Sequence, residues 1–153
     1  MNGIIRKAVL QDAEAMAALD HQCFAVPWSR QAFEQELSVN DAAFYLIAAV
    51  GDEIIGYAGL WAILDEGHIT NIAVHPEHRR KGLGEMLLGE LIRISEANGI
   101  LRHTLEVRAS NEPAIKLYEK FDFKAEGIRK GYYEDNGEDA IILWRKATDL
   151  QME

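Results

Sequence analysis

Residues 72–88, IAVHPEHRRKGLGEMLL, constrain the fold more than any other stretch of this chain. Val74 closes an apolar run with Ile69, Ile72 and Ala73, and His75-Pro76 breaks it. Arg79, Arg80 and Lys81 then set three positive charges ahead of Gly82 and Gly84. Beyond them Leu83, Leu87 and Leu91 recur at i, i+4 and i+8, the spacing of one helix face. The stretch reads as a strand, a basic glycine loop and an amphipathic helix. A helix start carries unpaired N–H groups and the positive end of a macrodipole, so it receives anions. Glycine lets the backbone come close without a Cβ in the way. Arg79, Arg80, Lys81, Gly82, Leu83, Gly84 and Glu85 are therefore candidates to hold a pyrophosphate, with Ile72, Ala73 and Val74 leading into them. The bare pattern also describes an ordinary turn before a helix. It is not a Walker loop, since no GK[ST] follows, and it is not GxGxxG.

The chain has 153 residues, the size of one domain with a full core. Its 48% hydrophobic and 27% charged composition is that of an ordinary soluble globular protein. No apolar run approaches the roughly 20 residues that cross a bilayer. The start MNGIIRKAVLQDAE lacks a signal-like apolar segment, so a cytoplasmic protein without membrane contact is expected. Cys23 is the single cysteine, which excludes an internal disulfide and a cysteine zinc cluster, and reads as a passive residue near a helix end. The net charge of −9 argues against direct nucleic-acid binding and suits a cationic partner, or solubility alone.

The chain carries no repeat or linker, and one domain over 1–153 is expected. The pattern predicts a strand at Ile4–Ala8 and a helix near Asp12–Gln22, then a loop through Phe24–Pro27 and a helix capped by Ser29 to about Leu37. Phe44–Val50 and Glu53–Trp61 read as a hairpin joined at Gly51-Asp52, followed by a strand at Gly67–Val74. The helix after the glycine loop should stop near Ala97, at Asn98-Gly99. A strand at Arg102–Arg108, a helix at about Glu112–Phe121 and strands at Phe123–Arg129 and Ala140–Trp144 complete the order. Gly127 to Gly131 reads as a turn. An early hairpin and later β-α-β crossovers imply an α/β fold of the α+β kind, with a mixed sheet covered by helices.

The second informative stretch is LEVRASNEPAIKLYEKFDF, from Leu105 to Phe123. Ser110 or Asn111 can cap a helix whose first turn tolerates Pro113. Ala114, Leu117, Tyr118 and Phe121 form its apolar stripe. By pattern alone Tyr118 is a core aromatic and Glu106 a solvated strand carboxylate.

The spacing Arg79-x-x-Gly82-x-Gly84 after a V-x-P strand end resembles the acetyl-CoA loop of the GNAT N-acetyltransferases. The pattern L-E-V-R-x-S-N-x-x-A-I-x-L-Y-x-x-x-x-F resembles the second half of the acetyl-CoA site in that family's RimI branch, the ribosomal-protein-alanine N-acetyltransferases. Phe24-x-x-Pro27-Trp28-Ser29 is similar to the branch's F-P-W-S segment with one extra residue. Asn71-Ile72-Ala73-Val74 resembles its N-I-A-V strand, and Tyr132-Tyr133 with Glu138-Asp139-Ala140-Ile141-Ile142 its C-terminal segment. The resemblance spans about Phe24 to Leu143. It implies a mainly antiparallel GNAT sheet, acetyl-CoA as acetyl donor, and the N-terminal alanine of a small-subunit ribosomal protein as acceptor. It further implies that Glu106 is the general base, Tyr118 the general acid and Asn111 a cofactor contact.

The chemistry suits those parts. An N-terminal ammonium has a pKa of about 8, so roughly a tenth is free amine at pH 7, whereas a lysine near 10.4 is free about a hundredfold less often. A base takes the proton directly or through water, a backbone N–H near Val74 stabilises the charge on the carbonyl oxygen, and an acid serves the leaving thiolate. Trp28, Tyr133 and Asp139 are candidates to contact the substrate, although each also has an ordinary role in loop packing or as a solvated strand-edge charge. His75 and His78 lack further ligands at metal spacing, so no metal is expected. Two rival readings remain open: the same fold acting on a small amine, polyamine or lysine, and a non-catalytic acyl-CoA-binding module.

Overall fold

The computed structural model describes residues 3–146. The strands are β1 (Gly3–Lys7), β2 (Ala43–Val50), β3 (Glu53–Ile63), β4 (Glu66–Val74), β5 (Arg102–Arg108), β6 (Lys124–Arg129) and β7 (Ala140–Lys146). The helices are α1 (Ala13–Cys23), α2 (Arg30–Ser38), α3 (Leu83–Ala97) and α4 (Glu112–Glu119). The strands form one seven-stranded sheet in the order β1-β2-β3-β4-β5-β7-β6. Every pairing is antiparallel except β4 with β5.

Strand alternation sorts the core into two layers. On β2, Leu46 and Ala48 join Leu83, Leu87, Leu88 and Leu91 of α3 on one face. Tyr45, Ile47 and Ala49 join Met16 and Leu19 of α1 and Phe33 of α2 on the other. A strand buried on both faces reads as a continuous apolar run, which FYLIAAV is. The four α3 leucines are fully buried, each worth about 1.5–3 kcal/mol over exposure.

Local chemistry sets the ends of the elements. Ser29 Oγ accepts the Ala32 N–H at 3.1 Å and starts α2. Gly51 turns the hairpin at φ 60° and Gly99 ends α3's exit at φ 100°. The last helix stops at Glu119 rather than Phe121, because Asp122 takes φ 67° and turns the chain into β6. Gly127 lies inside β6, beside a register shift, rather than opening a turn.

Two irregularities shape the site. β4 carries an extra residue, Thr70, where pairing with β3 steps from Asn71↔Gly59 to Ile69↔Leu60. Tyr45, whose ring fills the space a Cβ on Gly59 would need, holds Thr70 Oγ1 at 3.1 Å and donates to Glu36 Oε1 at 2.7 Å. Then β4 and β5 pair over only three positions, Glu66↔Arg102 to His68↔Thr104. Beyond them β4 keeps only β3 as a neighbour and β5 only β7. The sheet opens there into a gap.

Candidate active site

The β4 wall of the gap is main chain. His75 N donates to Ile55 O at 2.8 Å, and Ala73 faces Tyr57 in the same ladder. In an antiparallel pair the alternate residues point the other way, so Ile72 and Val74 turn their N–H and C=O groups into the gap. Val74 O accepts Arg79 Nε at 3.0 Å and the Cys23 thiol at 3.4 Å. Ile72 N donates to Asn71 Oδ1 at 3.1 Å. Ala73 differs from its two neighbours: its polar groups belong to the β3 ladder and its side chain to the α1–α2 core, so it offers the gap nothing.

The glycine loop brings α3 to the end of that wall. Gly82 caps the helix at φ 79°, and a Cβ there would have nothing within 4 Å. Met86 N→Gly82 O, at 3.0 Å, is the first helical bond, so the N–H groups of Leu83, Gly84 and Glu85 precede any intrahelical acceptor. Arg80 sits at φ 66° and is exposed, as are Arg79 and Lys81. Arg79 is less free than its charge suggests, since its Nε is spent on Val74. The Glu85 carboxylate pairs with Lys120 Nζ at 3.1 Å and leaves its backbone N–H to the helix start. An open cradle, three unspent N–H groups and a basic rim fit a pyrophosphate. Asn111 accepts the Ala114 N–H at 3.3 Å and so starts α4, with its own N–H tied to Arg108 O at 3.0 Å.

Glu106 and Tyr118 lie on opposite faces of the sheet. Leu105 and Val107 point into the α3–α4 core, so Glu106 between them points to the α1–α2 side. Its Oε2 lies 3.3 Å from Arg129 Nε. Tyr118 is buried in the α3–α4 core, edge-on to Phe123 at 5.5 Å. Among the described residues its hydroxyl has no hydrogen-bond partner. Burial pushes that hydroxyl above the usual phenol range, and the neighbouring Tyr133 phenol adds to the shift. Burial also raises Tyr133, with Arg108 opposing and Glu106 contributing.

The remaining candidates are each placed by contacts of their own. Half-buried Trp28 rests its ring 5.4 Å from Phe33 and donates its backbone N–H to the buried Asp20 at 2.9 Å. Asp139 Oδ1 accepts the Gly131 N–H at 2.9 Å, with Lys130 Nζ 4.0 Å from the other oxygen, so its carboxylate braces the β6–β7 loop. The spacing pointed to neither Asp20 nor Arg108. Arg108 follows Glu106 by two residues, and that strand period was the available signal. Asp20 has no comparable mark, because helix periodicity does not distinguish a buried aspartate from a solvated one.

Residues 13–123 match the acetyltransferase (GNAT) family. A Bacillus subtilis (strain 168) relative is 41% identical over 140 residues, covering 92% of this chain and 93% of its own. The [ribosomal protein bS18]-alanine N-acetyltransferase of Salmonella typhimurium is 39% identical over 137 residues, 86% of this chain and 89% of that one. The crystal structure of the ribosomal-protein-S18-alanine N-acetyltransferase from Escherichia coli superimposes with a TM-score of 0.88 at 34% identity, covering 95% of this chain and 94% of that one. The mainly antiparallel sheet and the resemblance to the RimI branch are both borne out. The chain belongs to the GNAT family of acetyl-CoA-dependent N-acetyltransferases.

Proposed function

We propose that this enzyme acetylates the α-amine of an N-terminal alanine, on a small-subunit ribosomal protein in the cytoplasm. The observation that supports the reading is the parting of β4 from β5, with Glu106 on the stretch of β5 that has left β4. The names of the Salmonella and Escherichia relatives give the acceptor class. Among the described residues no helix is long and apolar enough to cross a membrane, which agrees with a water-soluble acceptor.

Acetyl-CoA supplies an activated thioester. Leu83, Gly84 and Glu85 N–H groups, with Arg80 and Lys81, hold its pyrophosphate. The Ile72 C=O, the edge group not already bonded within the chain or needed at the carbonyl oxygen, accepts from the arm that leads into the gap. Glu106 takes a proton from the acceptor ammonium, directly or through water. The freed amine attacks the carbonyl carbon, and the Val74 N–H meets the charge that develops on oxygen. The carbon–sulfur bond breaks, and Tyr118 gives the leaving sulfur its proton. The new amide nitrogen sheds its second proton, which restores the Tyr118 phenol through solvent, and Glu106 releases its own proton to water. Tyr118 holds that proton more tightly than an ordinary phenol, so its driving force as an acid is small. Its contribution should be smaller than that of the base.

The test is one peptide that begins with alanine, assayed with its N-terminus free and blocked. Turnover of the free form alone supports the reading. Turnover of both forms through a lysine, or of a polyamine only, supports the small-amine and lysine rival. Tight acetyl-CoA binding without any turnover supports the binding module. Mass spectrometry of ribosomal proteins from cells with and without the gene then names the natural acceptor.

A further inference from the structure

The β6–β7 loop, residues 130–139, has no apolar anchor. Its sequence is KGYYEDNGED, and none of its residues is fully buried. Gly131 and Gly137 take φ 60° and 72°, so the backbone needs its glycines but gains no packing from them. Polar contacts position the loop, and they converge on one guanidinium.

Arg108 lies two residues after Glu106 on β5, on the same face. Its Nη2 is 2.9 Å from Asp135 Oδ2, and its Nη1 is 3.3 Å from Asn136 Oδ1 and 3.5 Å from Glu138 Oε1. The guanidinium carbon stands 4.0 Å from the centre of the Tyr133 ring. The other Glu138 oxygen accepts the Ser110 N–H at 2.7 Å, and Ala109 N donates to Asp139 O at 3.1 Å, so the chain leaving β5 grips the same loop. A planar guanidinium satisfies both demands, forking to carboxylates in its plane and stacking on an aromatic face, which an ammonium does not.

We infer that Arg108 is the positioning residue that seats the β6–β7 loop over the gap and sets affinity for the acceptor chain. The inference rests on the proposed transfer to an amine acceptor and adds a residue to it. The cofactor side is separate: α3 and the β4 edge hold acetyl-CoA, whereas Arg108 and its loop stand on the β5–β7 side of the opening. Holding Tyr133 by its ring face fixes the ring while leaving its hydroxyl free of the guanidinium. The tie consists of contacts to side chains of the loop, so a variant can release the loop while leaving β5 and its ladder with β7 unchanged.

The experiment compares Arg108→Met, Arg108→Lys and the double variant Asp135→Asn/Glu138→Gln. KM for the acceptor and KM for acetyl-CoA are measured separately on whichever amine the parent enzyme accepts. Arg108→Met should raise acceptor KM by at least about tenfold, with acetyl-CoA KM within about twofold of the parent. Arg108→Lys should recover part of the loss, since it keeps charge without the fork. The double variant should reproduce the acceptor effect, and it carries the test if Arg108→Met fails to fold. Unchanged acceptor KM in a folded variant, or an equal rise in both KM values, overturns the inference. A parent enzyme inactive on the alanine peptide but active on another amine overturns the proposed acceptor and leaves the KM comparison intact.

Discussion

The Tyr57 hydroxyl donates to Asp20 Oδ1 at 2.5 Å, joining the middle of β3 to the last turns of α1. Oδ2 accepts the Trp28 N–H, so one buried carboxylate fixes the start of α2 and the sheet beneath it. Asp20→Ala leaves two donors without an acceptor at about 1–3 kcal/mol each, and should cost about 2–6 kcal/mol in denaturant unfolding. Asp20→Asn keeps one acceptor and should cost less. Burial raises the Asp20 pKa, against the pull of Trp28 and Tyr57. The folded state therefore holds this proton more tightly than the unfolded chain does. The stability that proton contributes is fully present below the ordinary carboxylate range and is lost as pH rises through the raised value. The advantage of the parent over Asp20→Asn should shrink as pH rises across that window; an advantage that grows with pH contradicts the assignment.

Gly82 sits in the left-handed region with free space where a Cβ would be. Aspartate and asparagine tolerate that conformation better than other side chains. Gly82→Asp should therefore melt close to the parent, while its charge at the helix start lowers acetyl-CoA affinity at least tenfold, about 1.4 kcal/mol. Gly82→Asn should lose less. Calorimetry on the folded variants checks both, and unchanged affinity in Gly82→Asp would remove the loop from the cofactor site.

Glu106→Gln keeps the shape of the side chain and removes its basicity. Turnover at neutral pH should fall by about 10²–10⁴ and recover in part at high pH, where the acceptor loses its proton unaided. The partner Arg129 is more than half exposed, so breaking that pair should change stability by less than about 1 kcal/mol. Full turnover at pH 7 would return Glu106 to a solvated strand position.

Tyr118→Phe preserves the ring against Phe123 and deletes a hydroxyl that no described residue binds. Melting temperature and acetyl-CoA affinity should stay near the parent's, and turnover should drop about tenfold or more, yet less than in Glu106→Gln. A variant with normal melting and normal turnover would make Tyr118 a core aromatic only.

The order of strands and helices was legible because it rests on local signals. Ser29, Gly51, Gly99 and the leucines of α3 each mark an end or a face within a few residues. The sheet order was not legible, since nothing local tells Ala140–Lys146 to lie between β5 and β6. Nor was the parting of β4 from β5, which depends on a bulge at Thr70 and on where α3 departs. Glu106, Tyr118 and the glycine loop stood out as candidates through family resemblance, whereas periodicity alone favoured core and solvent. Arg108 and Asp20 escaped because their partners, Tyr133 and Tyr57, are distant in sequence.

The edge groups of Ile72 and Val74 belong to the peptide backbone. Replacing either side chain leaves the N–H and C=O in place, so an alanine scan would pass over this wall of the cleft without registering it. Proline is the one coded residue that deletes a backbone N–H. Ordinary mutation can therefore alter every side chain around this wall, including those of the β6–β7 loop, while the wall itself stays chemically constant. A surface made of main chain is hard to damage and equally hard to tune.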